Sequence, residues 1–166
     1  MFEIKLIKHQ DVTDQDIKEV IDLKSKQWSF SLDKQMQWIK NNIKNSDFHM
    51  LLLLDKKSVA YLNLIDIELI VNGITRKGLG VGNVCAIEKG KGYGFELMKE
   101  ANKIITNLNK IGFLFCKEPL LNFYNSLGWE ELEPNNYNVR GDNLKVMIFN
   151  IKYDNEFLIE YDGIIF

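Results

Sequence analysis

The sequence is poor in the residues that would bind nucleic acid, metal or membrane. Of its 21 basic residues only Arg76 and Arg140 are arginine, the side chain that reads base edges or clamps phosphate through paired hydrogen bonds. Net charge is −2, so the basic footprint of a nucleic-acid partner is missing. Its two histidines, His9 and His49, stand alone in the chain without the Cys/His spacing of a metal site. The two cysteines, Cys85 and Cys116, lie in the apolar stretches VCAI and FLFC. They read as buried free thiols of a reducing compartment rather than a disulfide. Two prolines and 11 glycines in 166 residues exclude a fibrous or linker-rich chain. The longest apolar run, Met50 to Leu54, is too short to cross a membrane. The start, MFEIKLIKHQ, has no signal-peptide core. The expectation is a cytoplasmic protein with neither a membrane nor a nucleic-acid partner.

What is present is ordinary for a globular domain: 46% apolar and 27% charged residues. The length suits one domain, residues 1–166, able to bury roughly 70% of its unfolded surface. Residues 2–8 alternate like an edge strand. Thr13 with Asp16 three residues on marks a helix start, and Ile17, Val20, Ile21, Lys24 and Trp28 follow at helical spacing. A second helix carries Leu32, Met36, Ile39 and Ile43. His49–Leu54 reads as a buried strand. Val59–Val71 and Ile74–Ile87 read as a hairpin around Asn72-Gly73, the strongest turn signal in the chain. From Gly94 to Leu108 apolar residues return at three- and four-residue spacing, an amphipathic helix. Ile111–Cys116 is a short apolar strand. Pro119 opens and Gly128 closes another helix. Two late strands fall in 143–152 and 157–165. A strand, helix and strand in the middle imply a parallel pair in a mixed sheet. The fold class is mixed α/β (α+β), with six or seven strands and about four helices.

The informative stretch is Val84 to Gly94, VCAIEKGKGYG. An apolar strand runs into Gly90, Gly92 and Gly94, and a helix starts at once. The glycines alone fit a flexible connection or an anion cradle equally well. As a cradle, glycine lets backbone N–H groups approach a phosphate, and the first turn of the helix adds free N–H groups at its positive end. Lys89 and Lys91 add charge. The loop is neither a Walker A motif nor the G-x-G-x-x-G dinucleotide fingerprint.

The pattern K-x-x-G-x-G, together with Leu121-Asn122-Phe123-Tyr124-Asn125-Ser126-Leu127-Gly128-Trp129 after the Ile111–Cys116 strand, resembles the GCN5-related N-acetyltransferase superfamily. The first motif is similar to that family's pyrophosphate loop for coenzyme A, the second to its F-Y-x-x-x-G-[F/W] segment. The resemblance covers roughly Val81 to Glu131. It implies direct transfer of an acetyl group from acetyl-CoA to a primary amine of a small molecule or peptide, in a ternary complex and without a metal. It also admits a homodimer. By the same resemblance Cys85, Ala86 and Ile87 meet the pantetheine arm, and Lys89, Gly90, Lys91, Gly92, Tyr93, Gly94 and Asn122 meet the rest of the cofactor. Tyr124 is then the acid that meets the leaving thiolate. Read as residues only, Tyr124 also fits a core aromatic, Asn122 a helix surface, and Cys85 a small core residue rather than a nucleophile. Gly78, Gly80 and Gly82 suggest a bulge or a close approach in the strand.

Three features depart from the family pattern. Lys89 stands where the motif has Arg or Gln. The link Ala86-Ile87-Glu88 is short. Gly80 to Val84 offers no carboxylate base, leaving water or Asp66 and Glu68, which also fit solvent-facing positions of an alternating strand. An acceptor site would draw on Trp28, Phe30, Trp38, Asp142, Tyr153, Asp154, Glu160 and Asp162, a set suited to a polyamine, an aminoglycoside or a basic peptide N-terminus. The hairpin and the final DGIIF resemble aminoglycoside 2′-N-acetyltransferases. The rival readings are a non-catalytic acyl-CoA-binding or sensor module on the same fold, favoured by the missing base, and an interaction domain with no CoA site.

Overall fold

The computed structural model describes residues 1–140, 143–152, 154 and 156–166. Among the described residues run β1 (Phe2–Lys8), α1 (Asp14–Gln27), α2 (Leu32–Asn42), β2 (Phe48–Leu54), β3 (Lys57–Val71), β4 (Ile74–Ala86), α3 (Tyr93–Asn107), β5 (Ile111–Cys116), α4 (Leu121–Asn125), β6 (Glu130–Glu131), β7 (Tyr137–Val139), β8 (Lys145–Phe149) and β9 (Ile159–Tyr161). This is the expected mixed α/β class, with four α-helices. The strand count exceeds the expected six or seven because β6 and β7, two and three residues long, are too short to show a pattern. None of the described helices is long and apolar enough to cross a membrane. Two compact units are distinguished, Met1–Ile65 with Gly82–Glu100, and Asp66–Val81 with Ala101–Phe166.

In the first unit β1, β2 and β3 are successive antiparallel neighbours, in register from Phe2↔Leu54 to Lys8↔Phe48 on one side of β2. β1 is the edge strand that its alternation predicts. Helix α1 starts where expected. Thr13 Oγ1 accepts from the Asp16 amide at 3.2 Å, and Asp16 Oδ2 accepts from the Thr13 amide at 2.9 Å. Such a capping box is worth about 1 kcal/mol. Burial alone would raise the Asp16 pKa, but hydrogen bonds from Lys5 and Thr13 outweigh it and hold the carboxyl at about 2. Val20, Ile21 and Leu23 of α1, Ile39 of α2, Leu51, Tyr61 and Cys85 form one buried cluster.

In the second unit the Asn72-Gly73 turn has φ of 49° and 80°, the two left-handed residues that the tight hairpin needs. β4 pairs in parallel with β5 at Gly78, Leu79 and Gly80, as the strand–helix–strand order implies. β5 continues antiparallel to β8, which also carries β6. Gly80 is a close approach: a Cβ there would lie 2.3 Å from the Phe166 ring. Gly112 plays the same part under Trp129, whose ring would sit 2.7 Å from a Cβ. Trp129 is buried, and its Nε1 donates to Asn102 Oδ1 at 2.9 Å. Both thiols are free and buried, as the sequence suggests.

Candidate functional site

The first unit carries the glycine loop. β4 ends at Ala86, and the next amide, Ile87 N–H, donates to Val59 O at 2.9 Å. Successive N–H groups of an extended strand face opposite edges. Ala86 N–H therefore points to the edge away from β3. Cys85 turns its side chain into the buried cluster. Burial pushes its thiol up to about 12, against the pull of the nearby Lys24 charge. This thiol is inert at neutral pH, in keeping with a core residue.

After Ala86 the chain turns through Lys89, Gly90, Lys91 and Gly92, all exposed. Gly90 and Gly92 have φ of 77° and 76°, and no atom of the described residues lies within 4 Å of where their Cβ would be. The left-handed conformation, rather than crowding, is what calls for glycine here. Gly94 is different: it lies inside α3, which begins one residue earlier than expected, at Tyr93. The first backbone bond of the helix runs from Glu96 N–H to Gly92 O at 3.0 Å. Among the described residues no amide from Glu88 to Phe95 donates to a backbone carbonyl. The amides of two left-handed glycines and of a helix's first turn thus stand together without backbone partners, beside two lysines. That donor set fits a pyrophosphate. Tyr93 packs edge-on against Phe2, ring centroids 6.2 Å apart.

The second unit carries Tyr124. Its helix, α4, is only five residues long and follows a 3₁₀ turn over Glu118–Leu120 that contains Pro119. Gly128, at φ 86°, closes the segment, and Trp129 N–H returns to Tyr124 O at 3.2 Å. Tyr124 is 6% exposed. Among the described residues no hydrogen bond reaches its hydroxyl. Burial raises its pKa well above the ordinary tyrosine value, and the nearby Cys116 adds to the rise. The hydroxyl therefore keeps its proton at physiological pH and can donate it in a hydrogen bond. Asn122 is exposed on the same helix.

The carboxylates considered as bases are engaged. Asp66 pairs with Lys110 and Glu68 with Lys77. Hydrogen bonding to Lys77 lowers the Glu68 pKa. Asp66, Glu68 and Ile70 are the less buried positions of an alternating strand end, which leaves the two carboxylates open to lysines.

The residues expected to line an acceptor site divide between the units. Trp28 and Trp38 pack on the buried cluster of the first, and Phe30 is 61% exposed. One face of Trp38 is already covered: Lys24 Nζ sits 4.4 Å from the ring centroid. In the second unit Glu160 is half-buried on β9, and Asp154 and Asp162 are exposed. Asp142 and Tyr153 lie outside the described residues.

Two buried ionisable groups in the first unit escaped the sequence reading. Lys24 sits at a core position of α1, 5% exposed, and burial lowers its pKa to about 8. His9 and His49, which their spacing predicts to stand alone, do not. The β1–β2 register brings them together, His9 Nδ1 to His49 Nε2 at 2.9 Å, and His49 Nδ1 lies 2.8 Å from the Tyr61 hydroxyl. Among the described residues no group of three potential metal ligands forms.

Burial, with the His9 and Lys24 charges adding to it, pushes the His49 pKa from 6.5 to about 4. The unfolded chain binds this proton below pH 6.5, whereas the folded chain resists it until about pH 4. Stability should therefore fall as pH drops through that window, by roughly 3 kcal/mol from this residue alone. Urea titrations between pH 7 and 4 check this: His49→Gln should flatten the loss by about that amount. Equal slopes for parent and variant would assign the acid sensitivity elsewhere.

No family model matches the sequence, and no curated protein is detectably similar to it. The fold, however, is similar to that of solved structures. An acyl-CoA N-acyltransferase from Pseudomonas aeruginosa superposes with a TM-score of 0.65 at 18% identity, over 89% of this chain and 99% of that one. Escherichia coli ElaA gives 0.63 at 18% identity over 89% and 99%. The ribosomal-protein-S18-alanine N-acetyltransferase from Escherichia coli gives 0.65 at 14% identity over 94% and 97%. At these identities the likeness is one of architecture. The chain has the mixed α/β fold of the GCN5-related N-acetyltransferases.

Proposed function

We propose that residues 1–166 act as one acetyl-CoA-dependent N-acetyltransferase domain, passing an acetyl group to a primary amine of a small molecule or peptide by direct transfer in a ternary complex. The observation that supports this most is the run of backbone amides from Glu88 to Phe95 without backbone acceptors, opened by two left-handed glycines. When bound, acetyl-CoA supplies the activated thioester. The amides of Gly90, Lys91, Gly92, Tyr93 and Gly94 hold its pyrophosphate, helped by Lys89. The outward edge of β4 at Ala86, flanked by Cys85 and Ile87, pairs with the extended arm, and an N–H on that edge polarises the acyl carbonyl. Asn122 is a further cofactor contact, and Tyr124 donates to the leaving sulfur. With Asp66 and Glu68 both paired to lysines, water takes the amine's proton.

The acceptor proposed is a cationic amine: a polyamine, an aminoglycoside or a basic peptide N-terminus. The structural neighbour that acetylates a ribosomal-protein alanine supports the last of these. The buried free thiols support a reducing, cytoplasmic setting. One observation favours a second reading, an acyl-CoA sensor without turnover: neither candidate carboxylate base is unpaired. Thiol release from acetyl-CoA with a panel of amines separates the two. Amine-dependent release is expected. Clear CoA binding with no release by any amine would favour the sensor.

A further inference from the structure

Inside β4, Asn83 has a φ of 54°, a left-handed value that interrupts the pleat of a strand. Asparagine tolerates this conformation better than most residues, though less well than glycine. Its side chain is anchored: Nδ2 donates to Asn63 Oδ1 at 2.6 Å. Asn63, on β3, is fully buried, 0% exposed, and its own Nδ2 has no hydrogen-bond partner among the described residues. A buried amide with one side unsatisfied is a cost to the fold, and an apolar residue of similar volume would be cheaper. Stability therefore does not explain Asn63.

Its place in the strand does. The Ile87 N–H faces β3, so the amides of Ala86 and Val84 face the other edge. A left-handed residue re-aims every amide that follows it, and Val84 is the next one. We propose that Asn63 is a positioning residue: its amide clamps Asn83 in the left-handed conformation and thereby sets the direction in which the Val84 and Ala86 N–H groups meet an acyl carbonyl oxygen. This role rests on the acetyl-transfer reading.

Asn63→Leu removes the clamp and the unsatisfied amide together. kcat for amine-dependent thiol release should fall about 10-fold or more, the scale of a misaligned donor. The KM for acetyl-CoA should stay within about twofold, because the contact matters in the transition state. The melting temperature should be unchanged or higher, whereas a merely structural residue would lower it. Asn83→Ala tests the same contact from a half-buried position should Asn63→Leu fail to fold, and it should lose kcat similarly. Asn83→Gly should keep near-parental kcat, since glycine takes positive φ without a clamp. For the same reason, adding Asn83→Gly to Asn63→Leu should restore activity. Parental kcat in Asn63→Leu, equal activities for Ala and Gly at position 83, or no rescue in the double variant would each overturn the clamp alone. A parent protein that binds CoA but releases no thiol with any amine overturns the acetyl-transfer reading, and this role with it.

Discussion

Gly92→Val should abolish CoA binding while leaving the fold in place. At φ 76° an ordinary side chain costs about 1–2 kcal/mol, and a β-branched one more. A valine would escape by turning the peptide to negative φ. That turn would swing the neighbouring amides off their common target and shift Gly92 O, which accepts the first helical bond of α3. Hydrogen bonds to a charged group are worth about 1.5–3 kcal/mol each. Losing two should weaken binding by about 10²-fold to 10⁴-fold. The loop is exposed, so the melting temperature of the free protein should move little. Gly73→Val is the matched control: its φ is 80°, with open space around it, but it lies in the β3–β4 turn. It should cost similar stability and leave CoA affinity intact. Gly94→Val should act more weakly than Gly92→Val, because Gly94 sits in the helix without positive φ. Lys89→Ala should weaken binding only modestly, since backbone donors do most of the holding. Titration calorimetry on the four variants reads all of this. Equal affinity for parent and Gly92→Val would move the anion site elsewhere.

Tyr124→Phe should lower kcat by about 10-fold to 100-fold and leave both CoA affinity and melting temperature near parental values. The hydroxyl has no protein partner among the described residues, so its removal breaks nothing in the fold. The structure also refines the expected role. A tyrosine whose pKa is raised by burial cannot pass its proton fully to a departing thiolate, because the thiol is the stronger acid. It can donate a strong hydrogen bond to the developing negative sulfur, worth about 1.5–3 kcal/mol, while solvent completes the protonation. The loss belongs in kcat rather than in the KM for acetyl-CoA, since the charge exists only as the bond breaks. Unchanged kcat would remove Tyr124 from the chemistry and leave it a core aromatic.

Local signals in the sequence carried most of the fold. The Thr13/Asp16 box, the Asn72-Gly73 turn, the Ile111–Cys116 strand and the Gly128 closure are each written within a few residues, and each appears where expected. The short strands β6 and β7 were missed because two or three residues cannot show a period. Lys24 was legible as a helical core position, but nothing local says that an amine there would be buried against Trp38. The His9–His49 pair and the Asn63–Asn83 pair were invisible for another reason. Their partners lie 40 and 20 residues apart, and only the sheet pairing joins them. Asp66 and Glu68 could be placed on an exposed strand face from alternation, yet their lysine partners, Lys110 and Lys77, again depend on tertiary contacts. The glycine loop was legible as a motif, while the structure distinguishes Gly90 and Gly92, which need positive φ, from Gly94, which does not.

The most direct test of the CoA-site reading is calorimetric titration of the full chain with acetyl-CoA, paired with its melting temperature. Binding should be saturable, and at about 100 times the dissociation constant the ligand should stabilise the fold by roughly 2.7 kcal/mol. No heat and no thermal shift at millimolar acetyl-CoA would contradict the cofactor site and, with it, the acetyl-transfer function.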